Sequence, residues 1–240
     1  MLLIAHRGAS AHAPENTLAA FRLASDMGAK AVEFDVHQTR DHELVVIHDE
    51  DLKRVGKKAL KVGALSFEEL SRVDVGSWFD RAFAAERVPR LAEVMDLCQG
   101  RQELHVELKR GSRLYPGIEE RVVDLLQRRG AAASSLVSSF DHEALYCARS
   151  IDSKIRLGYL LGLTPWKTAW REMQELKAES LNLSLRQVGA KTIKAARERG
   201  LKTLVYTVNA AKDARKLEAW GADGIFCNYP ELAWKAEAAG

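Results

Sequence analysis

Seven side chains in this sequence have the types and spacing to do chemistry together. Glu33 and Asp35 interrupt the apolar run AVEFDV, and His105, Glu107 and Lys109 alternate with Leu104, Val106 and Leu108 in ELHVELK. Residues two apart in a strand share a face, so each run separates a polar face from an apolar one. Three carboxylates converging on one place raise one another's pKa values unless positive charge lies among them. For any one acid, an ion pair of Glu33 or Glu107 with Lys109 or Arg7 is an adequate reading. For three acids against two cations, a bound metal explains more, and all-oxygen donors favour Mg²⁺ or Ca²⁺ over zinc. His6 and Arg7 end the apolar start LLIA, and His48 ends ELVVIH. Two imidazoles, two cations and a hard metal suit phosphoryl chemistry, in which positive charge neutralises phosphate and the imidazoles move protons.

These residues need elements that bring them to one place. Strand-like runs LLIA (2–5), AVEFDV (31–36), ELHVELK (103–109), SLVSSF, IRLGYL (155–160), SLNL (180–183), TLVYTV (203–208) and DGIF (223–226) alternate with helical stretches such as IEERVVDLLQRRG and AAKDARKLEAWG. Such alternation implies parallel strands with crossover helices. Eight βα units in 240 residues predict an α/β fold, a TIM (β/α)₈ barrel, with active-site residues at the C-terminal strand ends. A doubly wound sheet competes, but no GxGxxG fingerprint follows the first strand. The first helix is expected to begin near Glu15, an acidic residue suited to a first turn.

The segment FDVHQTRDHELVVIHDE breaks the alternation. Its two strand-like arms are too close for a parallel crossover and predict an antiparallel hairpin. A tight turn centred on Asp41 and His42 places His48 opposite Asp35, although a one-residue slip would reverse its face. Residues 49–90 lack a clear strand and read as a small insertion near the barrel mouth. The expected organisation is a single domain over 1–240.

Composition sets outer bounds. A net charge of +3, with no dense Lys/Arg block, gives no reason to expect a nucleic-acid partner. Cys98, Cys147 and Cys227 lack CxxC spacing, which argues against a zinc site or a disulfide framework and fits a reducing compartment. The apolar start ends too early for a signal peptide, and no run is long enough to span a membrane. The expectation is cytoplasmic, without stable membrane insertion. The oligomeric state stays open, a homodimer included.

HRG with PENT, EFDV ahead of VVIHD, then ELK, VGSWF, VPRLAEVM, YTVN and GADGIF occur in that order, and the set resembles the glycerophosphodiester phosphodiesterase family. The resemblance implies a TIM barrel hydrolysing glycerophosphodiesters, such as glycerophosphocholine, to glycerol 3-phosphate and an alcohol. It implies that Glu33, Asp35 and Glu107 hold the divalent metal, that His6 and His48 are the acid–base pair, and that Arg7 and Lys109 contact the phosphate. It also implies an intramolecular route, in which the glycerol 2-hydroxyl attacks phosphorus and water opens the cyclic phosphate. Tyr206 stands where the family usually has tryptophan, so an aromatic wall for the substrate is kept with altered size. His42 replaces the usual glycine of an Asp-Gly turn. Asn228 falls where Asn or Asp is expected.

Other functions make different demands. A lysophospholipase D needs an apolar landing surface, for which Trp78, Phe79 and Phe83 are candidates unless they anchor the insertion. A non-catalytic barrel binding phosphometabolites predicts loss of a histidine or ligand, and none is missing. A Schiff-base barrel needs a lysine of lowered pKa, a poor role for Lys109 with Glu107 on its own face.

Overall fold

Eight parallel strands close into a barrel, with one further strand paired antiparallel on its rim. The computed structural model describes residues 1–98, 100–162 and 165–232. The barrel strands are β1 (Leu2–His6), β2 (Ala31–Gln38), β4 (Glu103–Leu108), β5 (Ser135–Ser139), β6 (Arg156–Leu160), β7 (Ser180–Ser184), β8 (Lys202–Tyr206) and β9 (Gly224–Cys227). β9 pairs back on β1, which completes the ring. All eight sequence-predicted barrel strands are present, and β3 (Leu44–Val46) is the extra one.

Strand alternation sorts the side chains as expected. Val32, Phe34 and Val36 of β2, with Leu104, Val106 and Leu108 of β4, face outward into the main core and meet Phe21, Leu91, Met95 and Ile118 from helices and their approaches. Ile4, Ala31, Leu204 and Phe226 pack as a separate cluster. At the N-terminal ends of the strands, Arg156 joins Glu103 and Glu179, which also takes Lys202. The catalytic-type side chains collect at the opposite end, as the barrel geometry requires.

Two expectations are corrected. The first helix spans Leu18–Asp26, not from near Glu15. Thr17 caps it, accepting from the Ala20 amide at 3.3 Å while its own hydroxyl donates to the Pro14 carbonyl at 2.6 Å. Glu15 is instead drawn to Arg7 and Arg54. The hairpin register also differs by one residue. Val36 pairs with Val46, His37 with Val45 and Gln38 with Leu44. Thr39 donates to the Glu43 carbonyl, so the loop holds three residues, ending at His42 with φ +67°. A left-handed third residue is the usual way to close such a loop. Ile47, not His48, therefore lies opposite Asp35, its amide donating to the Asp35 carbonyl at 2.9 Å.

The insertion has a core of its own: Val45, Ile47, Leu52, Val55, Val62, Leu70, Val73, Val75 and Val88. Trp78 packs against it and donates its indole N–H to the Val75 carbonyl at 2.8 Å. Phe79 packs edge-to-face between Trp78 and Phe83, and none of the three rings is exposed. Trp78 is the one of the three that packs on the insertion's core. No described helix is long and apolar enough to cross a membrane.

Candidate active site

The turn after β1 is built for close quarters. Arg7 and Gly8 both take positive φ, +59° and +79°, and a Cβ on Gly8 would come within 2.6 Å of the Ala20 carbonyl carbon. Only glycine fits there. The Arg7 amide donates to the Glu33 carbonyl at 2.9 Å and to its Oε2 at 3.1 Å, which ties the turn to β2. The guanidinium then reaches two acids, with Nη1 2.9 Å from Glu15 Oε1 and Nε 3.2 Å from Asp35 Oδ2.

Glu33, Asp35 and Glu107 converge as their strand faces require, each offering an oxygen within 4.8 Å of the others. Lys109 Nζ donates to Glu107 Oε1 at 2.8 Å and lies 3.4 Å from Asp35 Oδ1. Asn16 Nδ2 donates to Asp35 Oδ2 at 2.8 Å. Burial tends to raise the Asp35 pKa, but Arg7 and Lys109 outweigh it and hold the carboxyl well below its usual range. Burial, then the neighbouring Asp35, pushes Glu33 well up and Glu107 up to about 7. Ion pairing alone therefore leaves the acids overcrowded. Asp35 Oδ1 is buried without a hydrogen-bond donor. An all-oxygen cluster with surplus negative charge, in which Asp35 Oδ1 meets only the Lys109 ammonium at 3.4 Å, fits a hard divalent cation.

The two histidines are held alike. His6 Nδ1 lies 2.7 Å from Asn228 Oδ1, and His48 Nδ1 lies 2.6 Å from Asp49 Oδ1. Oxygens of this kind accept, so each Nδ1 donates and each Nε2 is left as the basic nitrogen. His6 Nε2 is 3.9 Å from Glu33 Oε2. Burial, reinforced by Arg7, lowers the His6 pKa to about 4. Burial also lowers that of His48, with Arg7 and Lys109 adding to it and Asp35 and Asp49 opposing.

His6, Arg7, Glu33, His48, Glu107, Lys109 and Tyr206 all border one cavity of about 170 Å³. Asp35 is the one predicted site residue not on its wall, being buried behind it. Tyr206 forms an aromatic side with Phe140 and Phe226, its ring 6.1 and 6.5 Å from theirs. A more open cavity of about 480 Å³ shares His48, Glu107, Lys109 and Phe140 and runs out past Asp49, Glu50 and Asp51 of the insertion. His48 reaches the site despite the shifted register because β3 ends at Val46 and the chain bends at His48.

No sequence pattern assigns a role to Asp49 or Arg54, and Glu15 reads from sequence only as a helix-start residue, yet the three wire the insertion to the barrel. Arg54 Nε donates to Asp49 Oδ2 at 2.7 Å, while its other nitrogens donate to Glu15 at 2.7 and 2.8 Å. Phe140 also escapes notice, although an aromatic residue directly after β5 falls where barrel sites form. His105 faces inward as predicted but is buried, away from the cavity.

The sequence profile of the glycerophosphoryl diester phosphodiesterase family matches residues 6–232. The glycerophosphodiester phosphodiesterase of Caldanaerobacter subterraneus subsp. tengcongensis is 36% identical over 234 residues, 96% of this chain and 95% of that protein. An Oleispira antarctica phosphodiesterase, solved in complex with the product sn-glycerol-3-phosphate, superposes with a TM-score of 0.90 at 31% identity, covering 96% of this chain and 94% of the other. The glycerophosphodiester phosphodiesterase of Agrobacterium tumefaciens gives 0.85 at 30% identity, over 96% and 97% of the two chains. Since the profile and these relatives span the barrel from its first histidine onward, this chain belongs to the glycerophosphoryl diester phosphodiesterase family.

Proposed function

We propose that the protein hydrolyses glycerophosphodiesters to glycerol 3-phosphate and an alcohol, with His6 and His48 as its acid–base pair. The observation that carries this reading is the matched pair of imidazoles, each donating from Nδ1, on a cavity that also holds Arg7, Lys109 and the carboxylates. The relative solved with sn-glycerol-3-phosphate agrees with it. Glu33, Asp35 and Glu107 are the residues to hold a divalent metal, Mg²⁺ or Ca²⁺, which supplies positive charge to the diester as negative charge builds in the transition state.

The protein's own groups do the rest. Arg7 and Lys109 orient the phosphate. One histidine accepts the proton of the glycerol 2-hydroxyl as that oxygen attacks phosphorus, and the other donates a proton to the departing alkoxide. A 1,2-cyclic phosphate results, and water opens it with the two roles exchanged. Tyr206 and Phe140 limit the space around the glycerol, and the wider outer cavity receives the alcohol. The test is release of glycerol 3-phosphate from a panel of glycerophosphodiesters, with and without added metal. Failure to cleave any member with metal present would remove this reading.

A further inference from the structure

The two imidazoles differ in what holds their main chain. His6 ends a barrel strand and pairs with β2. His48 lies on a bend past the last residue of β3, outside every strand. Among the described residues, its main chain has one side-chain tether. His37 Nε2 lies 3.0 Å from the His48 carbonyl, and His37 Nδ1 lies 2.8 Å from the Tyr115 hydroxyl. A carbonyl only accepts, so Nε2 carries the proton, and Nδ1 must then accept from the Tyr115 O–H.

His37 shares a strand face with Glu33 and Asp35, one step nearer the rim. Tyr115 stands in the segment that follows β4 and Lys109, its ring edge-on to His37 at 5.4 Å. Both side chains are buried, at 2% and 3% exposure. Burying two polar rings costs stability unless their hydrogen bonds are made, and an apolar pair would fill the space more cheaply. The group these bonds serve is the His48 main chain.

We propose that His37 and Tyr115 are positioning residues for the reaction. They form a relay from the segment after β4, through β2, to the carbonyl of His48, and set where its imidazole stands relative to Glu107 and Lys109. This rests on the reading of His48 as an acid–base group. The relay joins the His48 bend to the same two strands that carry the carboxylates, so the ring and the carboxylates keep one frame.

The experiment is a set of mutant cycles on the full-length protein with saturating Mg²⁺, reading kcat and KM for glycerophosphocholine. Misplacing a reacting group by about 1 Å costs up to about 10²-fold, so His37→Leu should lower kcat about 10- to 100-fold with KM nearly unchanged. Tyr115→Phe keeps the ring and its packing, which leaves folding intact, and should lower kcat by a smaller factor. His37→Gln can still donate to the carbonyl and should recover most of the loss. In a His48→Ala background, His37→Leu should cost almost nothing further, because coupled residues fail to add. Equal fold-losses in both backgrounds, or losses confined to KM, would overturn the positioning role alone. Wild-type turnover by His48→Ala would overturn the assignment of His48, and this proposal with it.

Discussion

Asp49→Asn is the most informative single substitution at this site. The carboxylate lies 2.6 Å from His48 Nδ1, and both side chains are about 30% exposed. It steadies the imidazolium and holds the ring with Nε2 free. Unit charges about 4 Å apart interact by about 4 kcal/mol beside a protein surface and about 1 kcal/mol in water. A half-buried pair falls between, at about 2 kcal/mol, and Arg54 on the other Asp49 oxygen reduces this further. Losing the interaction is worth about 10- to 30-fold in kcat. Asparagine keeps the shape and leaves Arg54 its bonds to Glu15. The assay is kcat from glycerol 3-phosphate release across the pH range, at saturating metal. Burial already holds the His48 pKa below its ordinary value and Asp49 draws it partly back, so losing the carboxylate lowers it again. Whichever limb of the profile belongs to His48 therefore moves to lower pH. Movement of the rising limb makes His48 the base in the rate-limiting step, and movement of the falling limb makes it the acid. A variant within twofold of the parent, with both limbs unmoved, would refute the link between Asp49 and His48.

Four further outcomes are expected. Exhaustive chelation should abolish activity and Mg²⁺ or Ca²⁺ restore it, while Glu33→Gln, Asp35→Asn and Glu107→Gln should each weaken metal binding measured by calorimetry without unfolding the barrel; full activity after chelation would sink the metal assignment. His6→Ala and His48→Ala should each lose about 10²–10⁴ in rate, with His12→Ala near normal as a control, and near-normal turnover by either site variant would remove that histidine from the acid–base pair. A diester lacking the glycerol 2-hydroxyl should bind yet scarcely turn over, because the attacking oxygen is held beside phosphorus by the substrate's own skeleton; equal kcat for both substrates, with no cyclic phosphate in phosphorus NMR, would point to water as nucleophile. Away from the site, Arg156 above all, helped by Lys202 and against a counter-effect of burial, holds Glu179 down at about 2. This depressed carboxylate adds stability above its unfolded pKa of about 4.3 that is lost as pH falls towards 2, so Glu179→Gln should flatten the acid-side fall in Tm, and an unchanged acid slope would discount the pairing.

The parts legible in the sequence were those set by local period. Alternation along β2 and β4 put Glu33, Asp35, Glu107 and Lys109 on inward faces, and any barrel carries such faces to its mouth. The hairpin register was not legible, for a specific reason. Leu44, Val45, Val46 and Ile47 are apolar on both faces of their strand, so no pattern distinguishes one pairing from its neighbour, and only the three-residue loop decides. The first helix shows the same limit. Glu15 suits a first turn by local rules, but ion pairs with Arg7 and with Arg54, distant in sequence, take it elsewhere. The insertion core is built from helices of four residues and short turns, too short for any periodicity to show.

Barrel strands deliver side chains to a mouth at fixed spacing, which serves ligands that must cluster, such as three carboxylates. Acid–base groups on opposite sides of a phosphate must stand apart, and His48, proposed as one of them, has left the barrel wall. The last main-chain bond to β2 is then made by Ile47, one residue short of His48, and side chains complete the placement of His48. Two independent restraints meet there: the charged line from Arg7 through Glu15 and Arg54 to Asp49 on the ring nitrogen, and the neutral line from Tyr115 through His37 on the carbonyl. A ring nitrogen alone would leave the main chain free to swing, and a carbonyl alone would leave the ring free to turn. The charged line also returns to Asp35 through Arg7, so the carboxylate cluster and the off-barrel histidine share one set of ion pairs. Substitutions at Arg54 and Glu15 should therefore act on His48 and on the carboxylates together, whereas those at His37 and Tyr115 should act chiefly on His48.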